Sequence, residues 1–330
     1  MIQNPSSMES FVPRRRLRGG HWQTIAGNFL RRQNSLSEAE ARMVEVDRGV
    51  SLLCHSHWQP NPADATTIIV LHGLEGSSIS QYMIGVGNKA WAAGMNVVRM
   101  NMRNCGGTED SSSTLYHSGL SGDVDAVIKY FIAERGLKKI VCAGYSMGGN
   151  IMMKLAGEYG RDGFAPKQVV AFASVSPALD LGPSCDALHL PANRLYELRF
   201  VWNLKRRMRR KAQLFPGVFD LSGLNKIHSV REFDDKITAR YSGFTGADDY
   251  YYRAAAARVV EHIKLPTFIL YSLDDPFIRV LPETRAKLLA NPNITYIESA
   301  HGGHCAFLAD PNGYDGRWAE KTIVEFLRNH

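Results

Sequence analysis

Apolar positions along the chain follow two periods, one typical of buried strands and one typical of amphipathic helices. Continuous apolar or β-branched runs predict buried strands at residues 66–71, 96–102, 140–143, 168–175, 267–273 and 294–298. Helical spacing predicts helices at residues 80–93, 122–134, 151–156 and 318–327. Alternation in residues 42–46 and 50–58, on either side of Asp47-Arg48-Gly49, predicts a hairpin. Strands that alternate with helices predict an α/β fold with a doubly wound, mostly parallel sheet.

Residues 183–263 interrupt this alternation, because they contain no clear strand signal. Apolar residues at helical spacing predict an amphipathic helix at residues 195–214 and a second helix at residues 250–263. We interpret the segment as a largely helical cap, inserted between the two parts of one α/β core at residues 33–182 and 264–330.

The net charge of +7 is concentrated in two segments. Residues 183–260 contain 14 Lys and Arg against 8 Asp and Glu, and residues 1–32, which we interpret as a basic arm, contain 6 against 1. Because the rest of the chain is net negative, the charge argues against nucleic-acid binding. The basic cluster, defined as Lys205–Lys211, binds the anionic head of an acyl substrate, contacts an anionic lipid surface, or faces water at the end of its helix.

The composition indicates a globular protein, since 45% hydrophobic and 22% charged residues suffice for a sizeable core. No apolar run approaches the ~18 residues of a transmembrane helix. The arm has no apolar secretory stretch, and we expect residues 1–12 to be poorly structured and part of residues 13–32 to pack on the core. Five scattered cysteines without a paired spacing indicate free thiols and a cytoplasmic location.

A Gly-x-Ser-x-Gly motif joins the predicted strand at residues 140–143 to the following helix. Such a strand–turn–helix connection holds its serine in a strained conformation and projects the hydroxyl of Ser146 out of the sheet edge. Gly144 and Gly148 avoid the collisions that side chains would cause in so tight a turn. The amide of Met147 and the helix N-terminus suit a developing oxyanion. The motif therefore predicts a catalytic nucleophile, although a glycine-rich connection without catalytic function could have the same sequence.

Two later strand ends supply partners for this serine, because a hydroxyl needs a base and the base needs an orienting group. Asp274 and Asp275 follow one predicted strand, and His301 and His304 follow the next. The order Ser, Asp, His is that of the α/β-hydrolases, and carboxyl ends of parallel strands share one sheet edge. We favour Asp275, which directly precedes a proline, and His304, which follows two glycines.

Other interpretations of these residues are weaker. The paired aspartates could simply form a turn. His301 and His304 could bind a metal, but no cysteine- or carboxylate-rich motif accompanies them, so we predict no metal site. His72 is interpreted as a structural residue, and the amide of Leu74 as the second oxyanion donor. The chain has no phosphate-binding loop and no dinucleotide fingerprint, so no cofactor is predicted.

Several segments resemble the YheT-like branch of the α/β-hydrolase superfamily. They are residues 18–25, 71–77, 115–119, 144–150, 231–240 and 301–304, and together they span most of the chain. The resemblance implies an eight-stranded hydrolase sheet, a catalytic triad of Ser146, Asp275 and His304, and ester-type substrates. It does not name a particular substrate.

These observations predict a serine hydrolase that cleaves carboxylic esters or thioesters through an acyl-enzyme. We expect a small-molecule or lipid-like substrate with a short to medium acyl chain, bound by Leu198, Val201 and Trp202 of the cap. Two alternatives stay open: acyl transfer from the same acyl-enzyme, and a binding or scaffold protein with vestigial chemistry. The sequence leaves the oligomeric state open.

Overall fold

An eight-stranded sheet forms the centre of the computed structural model, which describes residues 10–36 and 38–330. The strands are β1 (Glu40–Asp47), β2 (Val50–His57), β3 (Thr67–Leu71), β4 (Asn96–Met100), β5 (Ile140–Tyr145), β6 (Val169–Val175), β7 (Thr267–Ser272) and β8 (Ile294–Ser299). Their order is β1-β2-β4-β3-β5-β6-β7-β8. Strand β2 is antiparallel to both of its neighbours, and the other pairs are parallel. The predicted fold class is therefore confirmed.

Helices cover both faces of the sheet. They are α1 (Gly20–Phe29), α2 (Gln81–Ala92), α3 (Ser121–Arg135), α4 (Met147–Asp162), α5 (Leu181–Leu188), α6 (Arg194–Leu214), α7 (Val230–Phe233), α8 (Arg240–Ser242), α9 (Ala247–Ala254), α10 (Pro282–Ala290) and α11 (Trp318–Arg328). Side chains of α2 and α11 pack with Val141 on one face, and those of α3 and α4 pack with Cys142 on the other. Burial on both faces explains why the central strands are continuously apolar. Within the described ranges, no helix is both long and apolar enough to cross a bilayer.

The segment between β6 and β7 contains helices α5 to α9 and a π-helix, Asp234–Ala239, and the structure assigns no strand to it. The predicted helix at residues 250–263 is wrong in its second half, where α9 ends at Ala254 and two 3₁₀ turns follow. Asn150 of α4 causes the break, because its side chain donates to the Ala254 carbonyl and accepts from the Ala256 amide. These bonds replace helical ones and hold the segment against α4.

The basic arm contributes α1, which the sequence pattern did not predict. Gln23 fixes this helix to the core, since its amide nitrogen donates to the Leu308 carbonyl at 3.0 Å and its oxygen accepts from the Leu308 amide at 2.7 Å. Gly20 lies so close to the Asp274 carbonyl that a side chain there would collide with it. The expectation of poor structure for residues 1–12 falls, for residues 1–9, outside the described residues.

Candidate active site

Ser146 occupies a sharp turn between β5 and α4. Its backbone has φ 54° and ψ −120°, a region that non-glycine residues adopt only under strain. A Cβ on Gly144 would collide with the Gly148 carbonyl, and one on Gly148 would collide with the His72 carbonyl. The glycines on both sides of the serine are therefore required by the close approach of neighbouring backbone, as the motif predicts.

Asp275 and His304 form a hydrogen-bonded pair at the same edge of the sheet. His304 Nδ1 donates to Asp275 Oδ2 at 2.9 Å, and the carboxylate is fully shielded from solvent. The other carboxylate oxygen accepts from the amides of Phe277 and Ile278 at 3.1 and 3.0 Å. These bonds fix the carboxylate, and because Nδ1 is used in the bond to Asp275, Nε2 is the ring nitrogen that points away from it.

The neighbouring residues Asp274 and His301 form a separate, outward-facing pair. His301 Nδ1 donates to Asp274 Oδ2 at 3.3 Å, and the histidine side chain is 47% exposed. The other oxygen of Asp274 accepts from the Gly303 amide and the Ser272 hydroxyl, which ties together the loops after β7 and β8. Asp274 thus supports the loop that presents His304 rather than contacting that ring.

The environment of His304 favours its protonated form. Burial disfavours the charged ring, but the interactions with Cys305 and with the Asp275 carboxylate outweigh burial and raise the pKa of His304 above its ordinary value. Cys305 Sγ lies 3.6 Å from His304 Nε2. A base with a raised pKa accepts a proton readily but is neutral only at higher pH.

Leu74, in the loop after β3, lines the same two cavities as Ser146, and Gly73 of that loop approaches Ser146 closely. His72 fixes this loop, because its Nδ1 donates to the Gly73 carbonyl at 2.7 Å and its Nε2 accepts from the Met102 amide at 3.1 Å. Burial lowers the pKa of His72 to about 4, so the ring is neutral and structural. Met147 begins α4, so its N–H has no acceptor within the helix.

Glu75, the next residue of this loop, is held by the cap. Arg207 of α6 donates to both of its carboxylate oxygens, at 3.0 and 3.2 Å, and the Tyr116 hydroxyl donates to it at 2.5 Å. Glu75 has φ 56°, a conformation that costs energy for a side chain of this size. A nearly buried, bidentate ion pair thus links α6 directly to the residue after Leu74.

The sequence suggested that the basic cluster Lys205–Lys211 forms one exposed patch. In the structure it does not. Besides Arg207, Lys211 is fully buried and donates to the Asn104 side chain and to the Glu109 and Ser112 carbonyls. Burial lowers the pKa of Lys211 to about 8. The order of residues along the helix does not reveal which of its cations point inward.

An apolar cavity extends from Ser146 beneath the cap. Its apolar lining includes Leu74, Leu115, Met147, Leu181, Leu188, Phe200, Leu204, Met208, Val230, Phe233, Phe277 and Ile278. The half-buried residue Asp234 also lines it, its carboxyl bonded to Tyr251 and Thr238, and desolvation raises the pKa of Asp234 to about 6. The cavity offers mostly hydrocarbon surface to a bound group.

The three predicted substrate-binding residues do not line this cavity. Leu198 and Trp202 are 47% and 58% exposed, and Val201 is buried in the core cluster. Phe200, Leu204 and Met208 of the same helix face the cavity instead. The sequence did not indicate this arrangement, because α6 has apolar residues on more than one side and their spacing does not say which side faces the serine.

A second cavity, which we call the entrance, lies between α1 and α6 and is lined by both Ser146 and His304. Its walls include Ile25 and Phe29 of α1, Arg199 and Asn203 of α6, and Cys305. Two cavities therefore meet at Ser146, one with a mostly apolar lining and one, the entrance, whose walls include exposed side chains of α1 and α6.

Comparison with known proteins agrees with this architecture. The profile of the alpha/beta hydrolase fold matches residues 66–311, so the chain belongs to the α/β-hydrolase family. It is 31% identical over 332 residues to "Putative esterase YheT" of Escherichia coli, covering 98% of this chain and 95% of that protein. This similarity confirms the YheT-like branch within the family.

The chain is also similar to a more distant relative and to a solved structure. Phospholipase ABHD3 of Mus musculus is 27% identical over 245 residues, which cover 73% of this chain and 58% of that protein. The structure of the Pyrococcus furiosus esterase PF2001 superposes with a TM-score of 0.59 at 15% identity, covering 98% of both chains. At this identity the structural likeness concerns the fold alone.

Proposed function

We propose that this chain hydrolyses carboxylic esters through an acyl-enzyme on Ser146. The observation that carries the proposal is the strained serine at the mouth of an apolar cavity, at the same sheet edge as the buried Asp275–His304 pair. The names of its relatives, an esterase and a phospholipase, support ester substrates.

In the proposed reaction, His304 Nε2 takes the hydroxyl proton as Ser146 Oγ attacks the ester carbonyl carbon. The carbonyl oxygen becomes an oxyanion, to which the amides of Leu74 and Met147 donate hydrogen bonds. Collapse breaks the bond to the alcohol, which leaves with the proton from His304. Water then attacks the acyl-enzyme by the same sequence and releases the carboxylic acid. Asp275 holds the ring and stabilises its charged form.

The apolar cavity is the proposed acyl site, and its depth can be tested with esters that share one leaving group. We expect kcat/KM to rise from acetate towards medium chains by about fourfold per methylene, because each buried methylene contributes ~0.8 kcal/mol. Leu204→Phe should shift the optimum to shorter chains, whereas Leu198→Phe, on the exposed side of α6, should not.

Equal activity at all chain lengths, or equal effects of both variants, would place the acyl chain elsewhere. Added alcohols separate hydrolysis from acyl transfer, because an acyltransferase would give the new ester as its main product.

The Arg207–Glu75 pair is proposed to position the loop after β3, which carries the Leu74 amide of the proposed oxyanion hole. We expect Arg207→Met to lower kcat by roughly 10- to 100-fold with little change in KM, since loss of one oxyanion donor costs 10²–10³-fold and displacement of the loop costs part of that. Glu75→Gln should act in the same direction. Arg210→Met is the matched control, because Arg210 is mostly exposed and pairs only loosely with Glu109.

Steady-state kinetics and thermal melting decide between the roles of this pair. A raised KM with unchanged kcat would make Arg207 a substrate contact. A lowered melting temperature with unchanged kinetics would make the pair purely structural.

A further inference from the structure

Helix α1 turns an apolar face to solvent. Trp22, Ile25 and Phe29, spaced by one and two helical turns, are 65%, 40% and 65% exposed, whereas the opposite side, with Gln23 and Gly27, packs on the core. A surface helix of a globular protein normally shows the reverse arrangement. Contiguous exposed apolar side chains of this size mark a contact surface.

Helix α6 adds a second apolar stripe beside the first. Leu195, Leu198 and Trp202 have the same spacing and are 82%, 47% and 58% exposed. The two helices are neighbours, since the Arg199 guanidinium lies 5.7 Å from the centre of the Phe29 ring and His21 and Tyr196 are hydrogen-bonded and stacked. The entrance that leads to Ser146 and His304 opens between them.

Arginines flank α1 along the chain and are also present on α6. Residues 10–32 contain six arginines and no acidic residue, and the single acidic residue of α6, Glu197, is buried. The exposed arginines that form no salt bridge with any residue that the structure describes include six on or beside the two helices, namely Arg15, Arg16, Arg18, Arg31, Arg199 and Arg206. Arg199 and Arg206 instead lie over the rings of Phe29 and Trp202. The face is therefore both apolar and cationic, with no exposed acid on either helix.

We propose that this face, the α1–α6 rim, docks on the surface of an anionic lipid bilayer. We define the rim as the two apolar stripes and the six arginines. Trp, Leu and Phe side chains would enter the boundary between headgroups and acyl chains, and the arginines would pair with anionic headgroups. A second copy of the chain fits less well, because an isologous dimer would bring the same arginines face to face.

Docking in this orientation has a consequence for the proposed function. The entrance between α1 and α6 would face the bilayer, so a lipid ester could reach Ser146 without passing through bulk water. Docking itself does not depend on the hydrolase chemistry, so the two proposals can fail separately.

Sedimentation with vesicles tests the proposal. We expect wild-type protein to bind vesicles of phosphatidylcholine with phosphatidylglycerol about tenfold more tightly than phosphatidylcholine alone, and added salt to weaken binding by screening. The double variant Trp22→Ser, Leu195→Ser should bind the anionic vesicles about tenfold or more weakly, because both side chains would be buried in the interface. The double variant Arg16→Glu, Arg206→Glu should abolish the preference for anionic vesicles.

The matched control is Phe164→Ser. Phe164 is 43% exposed and follows the C-terminal end of α4, at the opposite edge of the sheet from Ser146, so its loss should leave vesicle binding unchanged. Neither Trp22 nor Leu195 lines the cavities at Ser146, so turnover of a small soluble ester should be retained in their double variant.

Three outcomes would overturn the proposal. The first is wild-type protein that sediments with neither vesicle. The second is a control variant as defective as the rim variants. The third is a wild-type dimer, detected by analytical ultracentrifugation, that the Trp22→Ser, Leu195→Ser variant does not form. A second copy of the chain would then occupy the rim.

Discussion

Ser146→Ala is expected to abolish turnover, with a fall in kcat of about 10⁶-fold, because loss of a catalytic serine removes the acyl-enzyme pathway altogether. The variant should fold normally, since alanine can replace the side chain without a steric change at the turn. A fluorophosphonate probe should label wild-type protein at Ser146 and leave the variant unlabelled. Peptide mapping of the labelled protein and steady-state kinetics measure the two effects.

Ser184→Ala provides a matched control, because Ser184 lines the same apolar cavity but its hydroxyl bonds to the backbone of Arg279. Labelling and turnover should survive this change. Wild-type protein that is folded, is never labelled and turns over no ester would support the scaffold interpretation. Labelling at another serine would show that the nucleophile is not in the turn between β5 and α4.

Features encoded in a few adjacent residues could be predicted from the sequence. The turn at Ser146 is one of them. Gly144 and Gly148 are needed there because a side chain would collide with backbone only a few residues away or on the adjoining strand. The strands were predictable for a similar reason, since burial on both faces makes each run continuously apolar. The Asp275–His304 pairing followed from topology, because β7 and β8 are adjacent parallel strands that end at one edge.

Features that depend on distant partners could not be predicted in this way. The early end of α9 is set by Asn150, more than a hundred residues earlier in the chain. The inward direction of Arg207 and Lys211 depends on Glu75 and Asn104, which the sequence gives no reason to pair with a basic cluster. Charge and spacing show that a helix is amphipathic, but only the packed structure shows what each side contacts.

The two Asp–His pairs at the sheet edge should respond very differently to substitution. We expect Asp275→Asn to lower kcat by about 10⁴-fold and His304→Ala to lower it further, because the first disturbs the tautomer of the base and the second removes the base. Asp274→Asn and His301→Ala are matched controls on the adjacent residues. We expect them to cost about tenfold or less, since their pair is exposed and acts only through loop support.

The pH dependence of kcat/KM provides an independent test of the same pair. The base must be neutral to accept the serine proton, so activity should rise with pH through the pKa of His304, and the raised pKa places this rise above the ordinary value of about 6.5. Asp275→Asn removes a negative charge that favours the protonated ring, so the rise should move to lower pH in the residual activity. Asp274→Asn should leave it in place. If Asp274→Asn moved the rise and Asp275→Asn did not, the orienting carboxylate would be Asp274, and the hydrogen bond between His304 and Asp275 would have no part in the reaction.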